Sequence, residues 1–324
     1  MDRQQLRDKF RGALFGVAIG DSLGAPFEGM PHISVSSLLA LAEEAPGPLR
    51  YTDDTHMTLG VADSLVAKQG FDGPHMAETF ARNYEEEPWR GYGAGPPQIF
   101  QLLRRGVPWN ETGRMLFGGT GSYGNGAAMR VTPIALAYHE NLPEMLEIAR
   151  QSALITHSHK LGMEGAALQA LSVALLLREP PNVRVSGSAF TELLITHADD
   201  ASALLYVDKL REVKELLPDA SPSDVASRLG NGIEAYQAVP AALYSFLRHS
   251  TSFSEAVRYA ISLGGDTDTI ASMTGALSGA YLGESAIPSN WLKKLERAHR
   301  LGELADALLE LALGRKNHRL DQES

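Results

Sequence analysis

Ala271, Gly275, Gly279 and Gly283 recur at strict fourth positions, and that spacing constrains the chain more tightly than anything else in it. Fourth positions share one face of an α-helix. Residues 270–283 therefore read as a helix with a stripe almost bare of side chains, against which another helix can pack very closely. Upstream, Ser252 and Glu255 have capping-box spacing, and Phe253, Ala256, Val257, Ala260 and Ile261 supply a helical apolar face. Gly264 and Gly265 break that helix. The turn left between the two helices, LGGDTDT at 263–269, gathers Asp266 and Asp268 with the hydroxyls of Thr267 and Thr269.

A second acidic, threonine-flanked cluster, Thr52-Asp53-Asp54-Thr55, lies far upstream and opens a helix whose apolar face is Met57, Val61, Ala62, Leu65 and Val66. One acid suffices to cap a helix; two adjacent acids exceed that need. Like charges this close raise each other's pKa unless a cation neutralises them. The two turns together predict one oxygen-lined metal site closed by both ends of the chain. Carboxylate and hydroxyl oxygens suit Mg²⁺, Mn²⁺ or Ca²⁺, and two divalent cations would balance the four aspartates. A single Ca²⁺ that staples two loops is the alternative. Zero cysteines exclude disulfides and thiolate zinc sites. A net charge of −10 argues against a general nucleic-acid binder.

The rest of the chain reads as helices. Residues 11–24 are rich in small residues and run into a loop holding Glu28; Asp21, beside it, reads as a cap. Residues 85–126 look loop-rich, with prolines, glycines and interleaved aromatics, a pattern that points to function. Helices are expected at 129–138, 143–155, 161–177, 190–217, from Ser221 onward, at 241–248, and from Pro288 to the leucines near 311. Residues 183–188 form a connector, and the tail from Arg315 reads as frayed. No alternating strand is evident. The expectation is an all-α, single compact domain over 1–324 with its ligand loops at one end. The charged N-terminus is unlike a signal peptide and no apolar run has membrane-spanning length, so a cytoplasmic monomer is expected.

The loop 118–126, GGTGSYGNG, lets backbone N–H groups approach an anion, and a helix after it would add its positive end. That suits a diphosphate. The formal GxGxxG match within it lacks the preceding strand of a dinucleotide fold, and Thr120 breaks the GxSxG pattern of a serine hydrolase. His157 and His159, two apart, share no helix face and make a poor metal pair. His157 matters only beside a phosphate loop, where its ring N–H could donate.

Taken together, GALFGVAIGDSLGAPFEG at 12–29, YTDDT at 51–55, GSYGNGAAMR at 121–130, TH at 156–157 and GGDTDT at 264–269 resemble the ADP-ribosylglycohydrolase family, in the family's order and across most of the chain. The resemblance implies an all-α fold, two Mg²⁺ or Mn²⁺ ions, and hydrolysis at C1″ of the distal ribose of ADP-ribose conjugates. Carried over motif by motif, Thr52, Asp53, Asp54, Asp266, Asp268 and Thr269 would be metal ligands, and Glu28 the mobile acid beside them. Gly121, Ser122, Tyr123, Gly124 and Asn125 would wrap the diphosphate with His157, and Phe117 would stack near the adenine. His56 and His159 inherit no role. Glu28, Phe117 and the GSYGNGAAMR loop look most like the ADP-ribosylhydrolase 3 group, which implies O-linked substrates: serine-linked ADP-ribose, poly(ADP-ribose) or O-acetyl-ADP-ribose. The alternatives are an arginine-ADP-ribose hydrolase of the dinitrogenase-reductase-activating type, a non-catalytic ADP-ribose binder, and a phosphohydrolase cutting the diphosphate.

Overall fold

In the computed structural model the described residues are 1–31, 33, 37, 47–181, 183–197, 203–217 and 219–323, and among them the fold is helical throughout. The first helix, α1 (Arg3–Gly24), begins at a capping box in which Asp2 accepts from Gln5 N and the Gln5 side chain accepts from Asp2 N. There follow α2 (Asp53–Lys68), α3 (Gly73–Glu86), α4 (Gly95–Arg104), α5 (Trp109–Thr112), α6 (Gly126–Met129) and α7 (Thr132–Tyr138). The second half contains α8 (Leu142–Ala153), α9 (Lys160–Arg178), α10 (Gly187–Ile195), α11 (Leu204–Leu216), α12 (Pro222–Leu229) and α13 (Ala235–Arg248). The last four are α14 (Phe253–Ser262), α15 (Thr267–Leu282), α16 (Ser289–Lys294) and α17 (Ala298–Glu323).

The bare stripe of α15 finds its partner in α1. A Cβ added at Gly16 would lie 2.0 Å from the carbonyl oxygen of Gly275, and one at Gly20 2.1 Å from that of Ala271. Gly12 faces Gly279 at 2.5 Å, and Gly24 faces Thr267 at 2.4 Å. The two helices thus run antiparallel with backbones touching over four turns. Glycine inside a helix costs about 1 kcal/mol relative to alanine; the close approach recovers that through dispersion contact between the backbones. The geometry also fixes an address: the C-terminus of α1 lies beside the N-terminus of α15.

Several expected boundaries shift. The stretch 85–126 contains α4, whose Pro96 and Pro97 occupy the first turn and whose Ile99 and Phe100 are buried; prolines that suggested loop serve there as helix starters. The helix expected at 129–138 is two pieces broken at Arg130 and Val131, and 190–217 likewise divides into α10 and α11. Residues 241–248 belong to a longer helix, α13, that passes through Pro240. The final helix is interrupted at Arg297, which takes φ +52, and α17 then runs on to Glu323. Arg315, where fraying was expected, is ion-paired to Glu144 and lies 4.1 Å over the Tyr138 ring. Among the described residues one helix, α9, is long and apolar enough to cross a membrane (19 residues, mean hydropathy 1.3), although no such run was expected from the sequence; 72% of it is buried among the other helices.

Candidate active site

The end of α1 and the starts of α2 and α15 converge, and each brings acid. Asp21, fully buried near the end of α1, accepts from the Thr52 N–H at 3.0 Å and hydroxyl at 2.7 Å, and from the Thr55 N–H at 3.0 Å and hydroxyl at 2.6 Å. Thr55 is the third residue of α2, so Asp21 does for α2 what an N-cap side chain does, from another helix. It was read from the sequence as a local cap; the signal that could have found its role is the pair of threonines flanking Asp53-Asp54. Each threonine hydroxyl donates its proton to Asp21, which leaves the Thr52 oxygen with lone pairs for a cation.

On the opposite side, Gly264 and Gly265 adopt φ +70 and +71, a region that favours glycine. A Cβ at Gly265 would also sit 2.1 Å from the Asn231 carbonyl oxygen. The turn is clamped from two directions. Gly29 N–H donates to Gly265 O at 2.8 Å, Gly265 N–H donates to Met30 O at 3.0 Å, and Asp266 N–H donates to Asn231 O at 2.8 Å. This places Glu28, Asp266 and Asp268 with carboxylate oxygens within 4.8 Å of one another. The loop that carries Glu28, the acid the resemblance implies is mobile, is docked on the acidic turn through Gly29 and Met30. Glu28 joins Asp266 and Asp268 in one carboxylate group.

Thr269 hydroxyl donates to Asp54 Oδ2 at 3.2 Å, and its N–H donates to Asp268 Oδ1 at 2.9 Å, so the two acidic turns touch. The other oxygen of Asp54, Oδ1, is buried with no hydrogen-bond partner. A carboxylate oxygen shut from water without a donor is costly, and a cation would satisfy it. The electrostatics agree. Burial first, then the charges of Asp21, Asp268 and other neighbours, hold Asp54 well above the usual carboxylate range. Asp53 is pushed up to about 7 by burial and Asp21, and Asp268 to about 9 by burial and Asp266. Glu28 is raised by partial burial and by Asp266. These donors, all oxygen, mostly buried and mutually repelling, fit hard divalent cations.

The glycine loop adjoins this cluster. Asn125 Nδ2 donates to Asp266 Oδ2 at 2.5 Å, tying the two together directly. Gly121 (φ +74) lies against the backbone of His159. Within the loop, the N–H groups of Gly121, Gly124 and Asn125 already donate to Leu116 O, Ser122 Oγ and Ile233 O. Among the described residues, the N–H groups of Ser122 and Tyr123 and those opening α6 have no such acceptor and are left for an anion. That helix is one turn long, so the helix-end contribution expected from the sequence is confined to a single turn. His157 packs on this loop: a Cβ at Gly126 would lie 3.0 Å from its Nε2 and one at Gly124 3.4 Å. Tyr123, half exposed, packs its ring edge to face with His159 at 5.6 Å. Phe117 is 64% exposed with φ +51.

Beyond the predicted set, the structure draws in Tyr92, whose hydroxyl is 2.9 Å from His56 Nδ1. Arg90 donates to the Tyr51 carbonyl and pairs with Glu87 and Glu296, fixing the strand of chain that enters α2. Apart from Arg90–Glu87, three residues apart, no local pattern marks these pairs, because the partners come from distant segments.

Comparison with known proteins accords with this arrangement. A model of the ADP-ribosylglycohydrolase family matches residues 2–318. The chain is 40% identical to the chicken (Gallus gallus) ADP-ribosylhydrolase ARH3, over 94% of this chain and 93% of that protein. It is 28% identical to the ADP-ribosylarginine hydrolase Tri1 of Serratia proteamaculans, over 94% of this chain and 80% of that one. A solved structure described as an ADP-ribosylglycohydrolase-related protein complex superposes with a TM-score of 0.74 at 29% identity, covering 95% of this chain and 99% of the other. With a family model spanning nearly the whole chain and the family's acidic turns and glycine loop brought to one place, this protein belongs to the ADP-ribosylglycohydrolase family.

Proposed function

We propose that this protein hydrolyses the bond at C1″ of the distal ribose in ADP-ribose conjugates and releases ADP-ribose. O-linked substrates (serine-linked, poly(ADP-ribose) or O-acetyl-ADP-ribose) are preferred to arginine-linked ones. The observation that carries this reading is the 2.5 Å bond from Asn125 to Asp266. Because the anion loop and the acid cluster share that wall, a diphosphate held at Gly121–Asn125 presents its distal ribose to the acids. The linkage preference is supported by the higher identity to the ARH3 hydrolase than to the arginine-specific one.

The ligand set we assign to two divalent cations, Mg²⁺ or Mn²⁺, is Thr52, Asp53, Asp54, Asp266, Asp268 and Thr269. When bound, the cations would polarise oxygens of the distal ribose or a water beside it. The chain's own groups do the rest. Asp21 holds Thr52 and Thr55 so that Asp53 and Asp54 face inward. Asn125 orients Asp266. His157 and the open N–H groups of the loop take the diphosphate, and Phe117 and Tyr123 offer ring faces for the adenine. Glu28 is the exposed member of its carboxylate group and can pass a proton to or from water. It serves as general base toward water, or assists the departing oxygen, as C1″ gains oxocarbenium character.

Product analysis on a seryl-ADP-ribosylated peptide tests the reading. Free ADP-ribose is the expected product; AMP with ribose 5-phosphate would mean diphosphate cleavage, and no turnover would mean a binding protein. Glu28→Gln is expected to lower kcat by roughly 10²–10⁴ with ADP-ribose affinity largely kept. An unimpaired variant removes Glu28 from the chemistry.

A further inference from the structure

Arg130 interrupts the chain between α6 and α7 and is 2% exposed. Its guanidinium lies 4.9 Å over the Phe80 ring, and Nη2 donates to the Thr156 hydroxyl oxygen at 2.8 Å and to Ser152 O at 3.3 Å. A guanidinium has donors only, so the direction of the first bond is fixed. Thr156 is 1% exposed, and its hydroxyl oxygen lies 2.7 Å from His157 Nδ1. Among the described residues the hydroxyl has no third partner. If Nδ1 carried a proton, the hydroxyl's own hydrogen would be buried without an acceptor, which is costly. Thr156 therefore donates to Nδ1, and a neutral imidazole with Nδ1 occupied as acceptor carries its proton on Nε2.

That proton points somewhere specific. The His157 backbone is held by its N–H donating to Ala153 O at 2.7 Å. Its Nε2 faces Gly124 and Gly126, where an added Cβ would come within 3.4 and 3.0 Å of that nitrogen, so glycine at both positions lets the ring edge lie directly against the loop. Burial, with Arg130 nearby, lowers the ring's pKa to about 3, so the imidazole stays neutral and its donor is present across the working pH range.

We propose that Arg130 and Thr156 are positioning residues for substrate binding. Arg130 orients the Thr156 hydroxyl, Thr156 fixes the Nε2–H tautomer of His157, and His157 thereby presents a permanent N–H to the diphosphate of ADP-ribose. This rests on the ADP-ribose reading above. Arg130 does not touch the anion; its guanidinium acts through two side chains, which is why a buried arginine sits behind a phosphate loop rather than in it.

The test uses the full chain labelled with ¹⁵N-histidine, with the His157 ring signals assigned by their loss in His157→Gln. Wild type is expected to show a protonated Nε2 and a bare Nδ1 from about pH 5.5 to about pH 8. Thr156→Val removes the hydroxyl at nearly constant shape; it is expected to abolish the tautomer bias and raise the Kd for ADP-ribose about ten-fold, while Thr156→Ser keeps both. A purely structural role for Thr156 would change thermal stability and leave tautomer and Kd alone. A wild-type ring protonated on Nδ1 overturns the proposal without any variant having to fold. So does a Thr156→Val protein that loses the tautomer yet binds ADP-ribose as wild type does. A wild type with the expected tautomer that binds no ADP-ribose overturns the substrate reading instead, and with it the purpose of the relay.

Discussion

Asp53, Asp54 and Asp268 are each held above the ordinary carboxylate range by burial first and by neighbouring charge second. That has a thermodynamic consequence in the absence of metal. An acid whose folded pKa exceeds its unfolded value binds its proton more tightly in the folded chain. Its stabilising contribution is complete below the unfolded pKa and is lost as pH rises through the folded one. For these residues the window opens near the ordinary value of 3.8 and extends to about 7 for Asp53 and about 9 for Asp268. Chelated protein is thus expected to show a Tm that falls between about pH 5 and about pH 8, and added Mg²⁺ to raise Tm more at the upper end. Thermal scans at both pH values check this. A metal-induced shift equal or larger at pH 5 would contradict the assignment of these acids as ligands. At this scale the sequence showed which acids cluster, because Asp53-Asp54 and Asp266-x-Asp268 are adjacent. It could not show Asp21 capping a helix that begins more than thirty residues later, or Asn125 bonded to Asp266, because those pairs exist only once the helices have packed.

The α1–α15 contact is what turns two ends of the chain into one site. Its small-residue ladder was legible as a demand for close packing on 270–283; its partner was not, although Gly12, Gly16 and Gly20 carry the matching period. A stripe of glycines states how near a neighbour comes and leaves its identity to the rest of the fold. Helix ends were harder to read for a related reason. Pro96 and Pro97 start α4 whereas Pro240 lies within α13, and only burial of the surrounding face separates the two cases. Gly275→Val would drive a side chain into a carbonyl oxygen 2.0 Å from its Cβ, where neither backbone can withdraw. The expected cost is about 3 kcal/mol or more, read as a loss of denaturant midpoint, with metal binding lost alongside because Asp268 and Glu28 separate. A variant of near-native stability would show that the two helices do not pack as tightly as described. Gly93, with open space around it, is the matched control.

For the molecule as a whole, the acidic cluster of the candidate site is assembled from opposite ends of the sequence while the middle supplies the glycine loop and the apolar centre of α9. Asp21 and Glu28 come from the first thirty residues, Asp53 and Asp54 from the next element, and Asp266 and Asp268 from the last quarter of the chain. That architecture brings the two ends of the chain together in one acidic site, a joint that the proposed cations would complete, and the fold class and family motifs were legible because they depend on local spacing alone. The central claim is that this joint also performs the chemistry on an O-linked ribose. The direct measurement is the initial rate of ADP-ribose release from seryl- and arginyl-ADP-ribosylated peptides, with Mg²⁺, after chelation, and after Mg²⁺ is restored, for wild type and Asp268→Asn. The expected result is fast release from the seryl peptide, slower release from the arginyl one, loss on chelation with recovery on repletion, and a drop of at least about 100-fold in the variant. Release that survives chelation, or that is unchanged in Asp268→Asn, would contradict the account.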